Sequence, residues 1–293
     1  MMPMSLRQFE LRSEIASGGM GTVYRAWDNT LGREVAVKLM RPEFVGSEEA
    51  VNSFAKEARA CAGLKHTDII TIYAFDEHDG YKYLVMELAD QGSLDGRIER
   101  ERRLPELDVL DIGVKVAGAL NTAYKHGLLH LDIKPGNILF GADDEPKVVD
   151  FGLAKKADAE KEYHVPVFGT PYYIAPERVQ QLGDSFLADM YSLAGTLFHA
   201  LVGHVPFEAP SVEEVVAAQV HTPLTPPNRL VPEITEATSD AIVRAMAKNP
   251  AERFPSYEEF IMALTAARSQ LLIRQFAPQA AQGSAANRSW WRR

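Results

Sequence analysis

Between positions 9 and 40 apolar and polar residues alternate in short runs interrupted by glycine. Phe9, Leu11 and Ile15 precede Gly18, Gly19 and Gly21, and Thr22-Val23-Tyr24 and Glu34-Val35-Ala36-Val37 follow. The pattern predicts strands broken by a glycine turn. A helix is expected from about Ser47, an N-cap followed by Glu48 and Glu49, to about Leu64. Two further strand-like runs, Ile69 to Phe75 and Tyr81 to Glu87, complete a small β-rich part. From Leu94 the period becomes helical. Pro105 suits a first turn, Val109, Ile112, Val116 and Leu120 recur at helical spacing, and Gly127 stands where a C-terminal cap belongs. The change of period places a boundary at 88–92.

Composition narrows the class. The chain has 293 residues, 46% hydrophobic and 24% charged, enough for a substantial core in two domains or two lobes. The single cysteine, Cys61, cannot form an internal disulfide, which points to a reducing, cytoplasmic setting. A net charge of -9 argues against nucleic acid as a partner. No run of eighteen apolar residues is present, so no spanning helix is expected, and Met1 to Glu10 lacks the features of a signal peptide. The charge is uneven: nothing acidic follows Glu259, whereas Arg268, Arg274, Arg288, Arg292 and Arg293 do. The stretch after about Ala277 reads as a mobile basic tail ending Trp290-Trp291-Arg292-Arg293. Its paired Trp and Arg resemble a membrane-interface anchor or the approach to a transmembrane helix, with an end without a binding role as the alternative.

Three motifs carry chemistry. Gly18, Gly19 and Gly21 between strands let a backbone approach phosphate, or simply make a tight turn. A dinucleotide fold is disfavoured because strand, not helix, follows them. Lys38 closes the strand Val35-Ala36-Val37 on the same face as Ala36, with Glu57 on the next helix as a candidate partner; a plain surface lysine is the alternative. His130-Leu131-Asp132-Ile133-Lys134-Pro135-Gly136-Asn137 gathers a carboxylate, a cation and an amide between apolar runs, and Asp150-Phe151-Gly152 follows. Asp132, Asn137 and Asp150 could supply a base and oxygen ligands for magnesium.

In this order, over about residues 9–270 and continuing to Ala175-Pro176-Glu177, Asp189 and Arg253, these motifs resemble the bacterial eukaryotic-like (Hanks-type) serine/threonine protein kinases. The resemblance implies an α+β bilobal fold: N-lobe 1–87, hinge 88–92, mainly helical C-lobe 93–273 and tail 274–293. It implies transfer of the γ-phosphate of ATP to Ser/Thr hydroxyls of protein substrates, with Mg2+ and with Mn2+ able to substitute. Ile15, Ala16, Gly18, Gly19, Gly21 and Val23 would form the glycine loop. Val23, Ala36 and Leu139 would sandwich adenine, with Met86 as gatekeeper and backbone groups of Glu87 and Ala89 as its partners. Lys38, held by Glu57, would contact the α and β phosphates. Asn137 and Asp150 would bind metal, Lys134 would face the γ phosphate, and Asp132 would accept the hydroxyl proton. Glu177 with Arg253 is expected as a buried ion pair, and Asp189 as a cap on the catalytic-loop backbone. Cys61, Ile72, His130 and Phe151 match a hydrophobic stack.

Two positions depart from the family. Ala16 replaces the first loop glycine, and Leu131 replaces an arginine that binds a phosphorylated activation loop. No Ser or Thr lies between Gly152 and Gly169. Activity independent of activation-loop phosphorylation is therefore expected, with neutral drift as the alternative. Ser93, Gly136 and His199 stand where arginine-directed kinases carry acids, so no strong demand for arginine before the acceptor is expected. A pseudokinase scaffold is the competing class, disfavoured by the complete set Lys38, Glu57, Asp132, Asn137 and Asp150. A dimer is compatible with the sequence.

Overall fold

The computed structural model describes residues 5–18, 21–151, 155–156 and 171–276. Side chains of residues 53, 56, 57, 60–62, 155, 156, 275 and 276 lie outside that description.

The N-terminal part is one antiparallel sheet of β1 (Ser5–Leu6), β2 (Phe9–Ser17), β3 (Gly21–Asp28), β4 (Arg33–Met40), β5 (Ile72–His78) and β6 (Tyr81–Met86), in spatial order β1-β2-β3-β4-β6-β5. Strand alternation divides its side chains between two small cores. Val35, Val37 and Leu39 join Phe9, Tyr24, Tyr83 and Val85 on one face. On the other, Met40 and Leu84 pack with Phe54 and Ala58 of α2 (Glu48–Ala62), which follows α1 (Pro42–Val45). The Ser47 hydroxyl accepts from the Ala50 amide, capping α2. β1 has no counterpart in the sequence reading, because two residues are too short to show a period. β5 begins three residues later than expected: Ile69 bridges to Val148 and the Ile70 amide donates to the Val148 carbonyl, so this stretch serves the helical part.

The C-terminal part holds α3 (Leu94–Glu101), α4 (Glu106–Lys125), β7 (Leu128–Leu129), β8 (Ile138–Phe140), β9 (Pro146–Val148), β10 (Lys155–Lys156) and α5 (Pro176–Val179). It continues with α6 (Phe186–Val202), α7 (Val212–His221), α8 (Pro227–Leu230), α9 (Glu236–Ala245) and α10 (Tyr257–Phe276). α6 is buried along most of its length, from Ala188 to Leu201, with α3, α4, α8 and α9 packed against it. The Ser185 hydroxyl accepts from the Leu187 amide at its start, and Gly203, with φ +91°, ends it. A Cβ on Gly203 would stand 2.5 Å from the Arg102 carbonyl oxygen, so glycine is required there. α10 runs through Phe276, so residues 274–276 of the expected tail are helical. Among the described residues no helix is long and apolar enough to cross a membrane.

Candidate active site

The site starts from a three-residue hairpin. β8 pairs with β9 through Ile138 opposite Val148, and the Val149 amide donates to the Asn137 carbonyl at 3.0 Å. Residues that enter β8 and leave β9 therefore meet at one end, which sets Asn137 opposite Val149, the residue before Asp150. Ile138 and Phe140 point into the main core, and alternation turns Leu139 the opposite way, half-buried.

Asp132 lies one short turn before this hairpin. Its Oδ2 accepts from Lys134 Nζ at 2.8 Å and from Asn137 Nδ2 at 3.0 Å, and its carbonyl accepts from the same Nδ2 at 2.8 Å. With both amide protons directed at Asp132, Asn137 keeps its side-chain oxygen for a different ligand. The loop behind is pinned by α6. Asp189, fully buried, accepts from the His130 amide at 2.8 Å and the Leu131 amide at 2.7 Å. Burial pushes its carboxyl up from the usual carboxylate range, opposed by those two amides, by His130 and by Arg178. The His130 ring accepts from the Asp132 amide at Nδ1 and donates from Nε2 to the Val149 carbonyl, and its centroid lies 4.5 Å from that of Phe151. One imidazole thus couples the backbone of Asp132 to the strand end that presents Asp150. Leu131 (φ +65°) and Asp150 (φ +63°) both hold left-handed backbone, which costs on the order of 1–2 kcal/mol for such residues and persists only under tertiary restraint.

The sheet supplies the opposite wall. In register, Val23 faces Lys38 and Ala36 faces Met86, so these four share one side. Lys38 Nζ lies 5.7 Å from the centroid of the Phe54 ring on α2. Glu57 is in the same helix, but its side chain, with the expected Lys38 pairing, lies outside the described residues, as do Gly19 and Thr170. Ile15 is exposed; Ala16 pairs with Val23 just after an irregularity in the β2–β3 register. At the turn, the Gly18 amide donates to the Gly21 carbonyl at 2.9 Å. A Cβ on Gly21 would come within 2.8 Å of the Leu39 carbonyl oxygen, so β3 and β4 approach this closely only with glycine present.

In the connection at 88–92, the Glu87 amide donates to the Thr71 carbonyl at 2.9 Å, leaving the Glu87 carbonyl as the backbone group able to meet a ligand. The Glu87 carboxylate pairs with Lys147 Nζ at 2.6 Å, and the same ammonium donates to the Thr67 carbonyl at 2.7 Å. Burial pulls the Lys147 pKa down, but the hydrogen bonds and charges of Glu87 and Glu145 together overcome it and hold the pKa above the ordinary lysine value. Ala89 is buried. Asp90 accepts from Arg25 of β3 at 2.5 Å, and that contact, with Gln91, lowers its pKa. Sequence reasoning missed Lys147, Arg25 and Asp90. The one available signal was a lysine inside the apolar strand Pro146–Val148.

The expected structural pairs are present. Arg253 makes a two-pronged contact with Glu177 at 2.6 and 2.7 Å, its side chain fully buried. Ile72 packs between the main core and the α2 core, whereas the Cys61 side chain lies outside the described residues. Asn137 and Asp150, at the same end of the β8–β9 hairpin, carry an amide and a carboxylate oxygen, donor types suited to a hard divalent ion. Among the described residues no three His, Cys, Asp or Glu gather as a metal cage, so such an ion would complete its shell with water and phosphate oxygens.

Residues 9–263 match the protein kinase domain family. The chain belongs to that family. The kinase domain is 36% identical over 268 residues to serine/threonine-protein kinase PknA of Mycobacterium tuberculosis, covering 89% of this chain and 62% of the relative. It is 35% identical over 255 residues to a probable serine/threonine-protein kinase of Clostridium perfringens, covering 87% and 37%, and 30% identical to probable serine/threonine-protein kinase PknB of Lactococcus lactis, covering 87% and 41%. The kinase domain thus spans between about a third and two thirds of the length of these relatives. The family uses ATP and a divalent metal ion.

Proposed function

We propose that this chain is an active serine/threonine protein kinase domain, dividing into an N-lobe (1–87), a hinge (88–92), a C-lobe (93–273) and a tail. The observation that carries the reading is the environment of Asp132. Its carboxylate accepts from the Lys134 ammonium and the Asn137 amide within 3.0 Å, just before the hairpin that ends at Asp150. Asp132 would orient the acceptor hydroxyl and take its proton, and Lys134 would balance charge on the transferred phosphoryl. A divalent ion held by Asn137 and Asp150, Mg2+ or Mn2+, would bridge phosphate oxygens and neutralise their charge. Lys38 would contact the inner phosphates, with Glu57 as its support. Adenine would lie between Val23, Ala36 and Leu139, below Met86, against the Glu87 carbonyl and Ala89.

Activity independent of activation-loop phosphorylation fits the absence of Ser and Thr between Gly152 and Gly169. Substrates without a required upstream arginine fit two committed side chains: the Ser93 hydroxyl caps α3 through the Gly96 amide, and His199 Nδ1 pairs with the Tyr173 hydroxyl at 2.8 Å. A cytoplasmic place of action fits the single cysteine, and proximity to a membrane would come through residues 277–293, outside the described structure. The test is incorporation of labelled γ-phosphate into a Ser/Thr protein by wild type and Asp132→Asn. Loss in the variant alone supports the enzyme; none in either favours a nucleotide-binding scaffold.

A further inference from the structure

Leu131 is the backbone joint from which Asp132 hangs, and it is held in left-handed geometry with its side chain buried. The peptide groups on both sides of such a residue must be restrained, because relaxation to an ordinary φ would rotate whatever follows. The preceding side is held by Asp189, which takes the amides of His130 and Leu131. On the following side, the Asp132 amide donates to His130 Nδ1 at 3.2 Å, a long contact. The Leu131 carbonyl accepts from Arg178 Nη1 at 2.6 Å. Arg178 is the residue after Glu177 in α5, and its side chain is only 8% exposed. Its Nε donates to Asp184 Oδ1 at 3.0 Å, so a carboxylate aims the guanidinium while the other arm grips the loop.

We infer that Arg178 is a positioning residue for phosphotransfer: from the C-terminal side of the activation segment it clamps the Leu131 carbonyl and thereby holds Asp132 in register with the transferred phosphoryl. The inference rests on the kinase reading above and deepens it. Position 131 carries leucine, which has no charge with which to read a phosphate. Arg178 instead supplies a permanent cation to that residue's own carbonyl, from a chain segment that needs no modification. Adjacent residues divide the labour, Glu177 fastening α5 to Arg253 and Arg178 fastening the catalytic loop to α5.

A displacement of Asp132 by about 1 Å should cost on the order of a hundredfold in rate. Steady-state kinetics would compare wild type, Arg178→Met, Arg178→Lys and Asp184→Asn, with thermal unfolding run in parallel and Asp132→Asn as the inactive reference. Arg178→Met is expected to lower kcat about a hundredfold with KM for ATP within twofold, in protein that remains folded at the assay temperature. Lysine, able to reach the carbonyl without the fork, is expected to recover at least about tenfold, and Asp184→Asn to lose several-fold. Folded Arg178→Met with kcat within threefold of wild type would overturn the inference, as would a lysine variant no better than methionine. If Arg178→Met does not fold, Asp184→Asn and Arg178→Lys decide, and wild-type kcat in both overturns it. Wild type as inactive as Asp132→Asn would instead sink the kinase reading, and the inference with it.

Discussion

The Asn137 side-chain amide donates simultaneously to the carbonyl and the carboxylate of Asp132, at 2.8 and 3.0 Å, so a single residue fixes both the backbone and the side chain of the proposed base. Asn137→Ala removes that double restraint and an oxygen ligand together. The expected outcome is a fall in kcat of about 10²–10⁴-fold, the range for loss of positioned acid–base chemistry, with a raised requirement for Mg2+. Titration of activity against metal concentration checks it, and an unchanged metal requirement would separate Asn137 from the metal site.

Glu177 and Arg253 form a buried pair whose arginine also donates to the Ala247 and Leu187 carbonyls. Glu177→Ala leaves a buried guanidinium without its counter-charge and should destabilise the fold by about 3–5 kcal/mol. Urea unfolding measures this, and a loss below about 1 kcal/mol would show that water reaches Arg253.

Gly21→Ala sets a methyl group against a backbone oxygen rather than a movable side chain. β3 must shift away from β4, at about 1–3 kcal/mol for overpacking. Because Val23 and Lys38 face each other across this same pair of strands, KM for ATP is expected to rise more than kcat falls. The two parameters measured on the folded variant decide it.

Lys248 donates to the Gln219 carbonyl at 2.7 Å and lies 4.0 Å from the Phe207 ring centroid, yet burial and the charge of Arg253 bring its pKa down to about 8. Unfolded, it would titrate near 10.5. Between these values the unfolded chain binds more protons than the native one, so this group's contribution to stability rises with pH through that window. The stability of wild type relative to Lys248→Met should therefore climb between pH 8 and about 9.5, by at most about 1.4 kcal/mol per pH unit before solvent screening reduces it. A pH-independent difference, measured by denaturant unfolding, would contradict the lowered pKa.

The chemistry was legible where it is written in consecutive residues. Asp132, Lys134 and Asn137 fall within six positions, and the apolar runs around them announce the strands that carry them. The helices α2 and α4 followed from cap residues and period. What the sequence concealed are contacts between distant residues without local pattern, such as Arg178 with Leu131 and Arg25 with Asp90, 47 and 65 positions apart. A surface-type arginine is the same letter whether it meets water or a buried carbonyl. β5 was misplaced for a related reason, since the residues at 69–70 carry strand composition but pair with β9.

The two ion pairs that flank the connection at 88–92 differ in how much solvent they meet. Lys147 is 9% exposed and its partner Glu87 24%, whereas Arg25 and Asp90 are 30% and 23% exposed. Solvent reaches one partner of the first pair and both partners of the second, so dissolved salt screens the second more strongly. Rising ionic strength should therefore loosen the tie between β3 and residue 90 before it loosens the contact of Glu87 with Lys147.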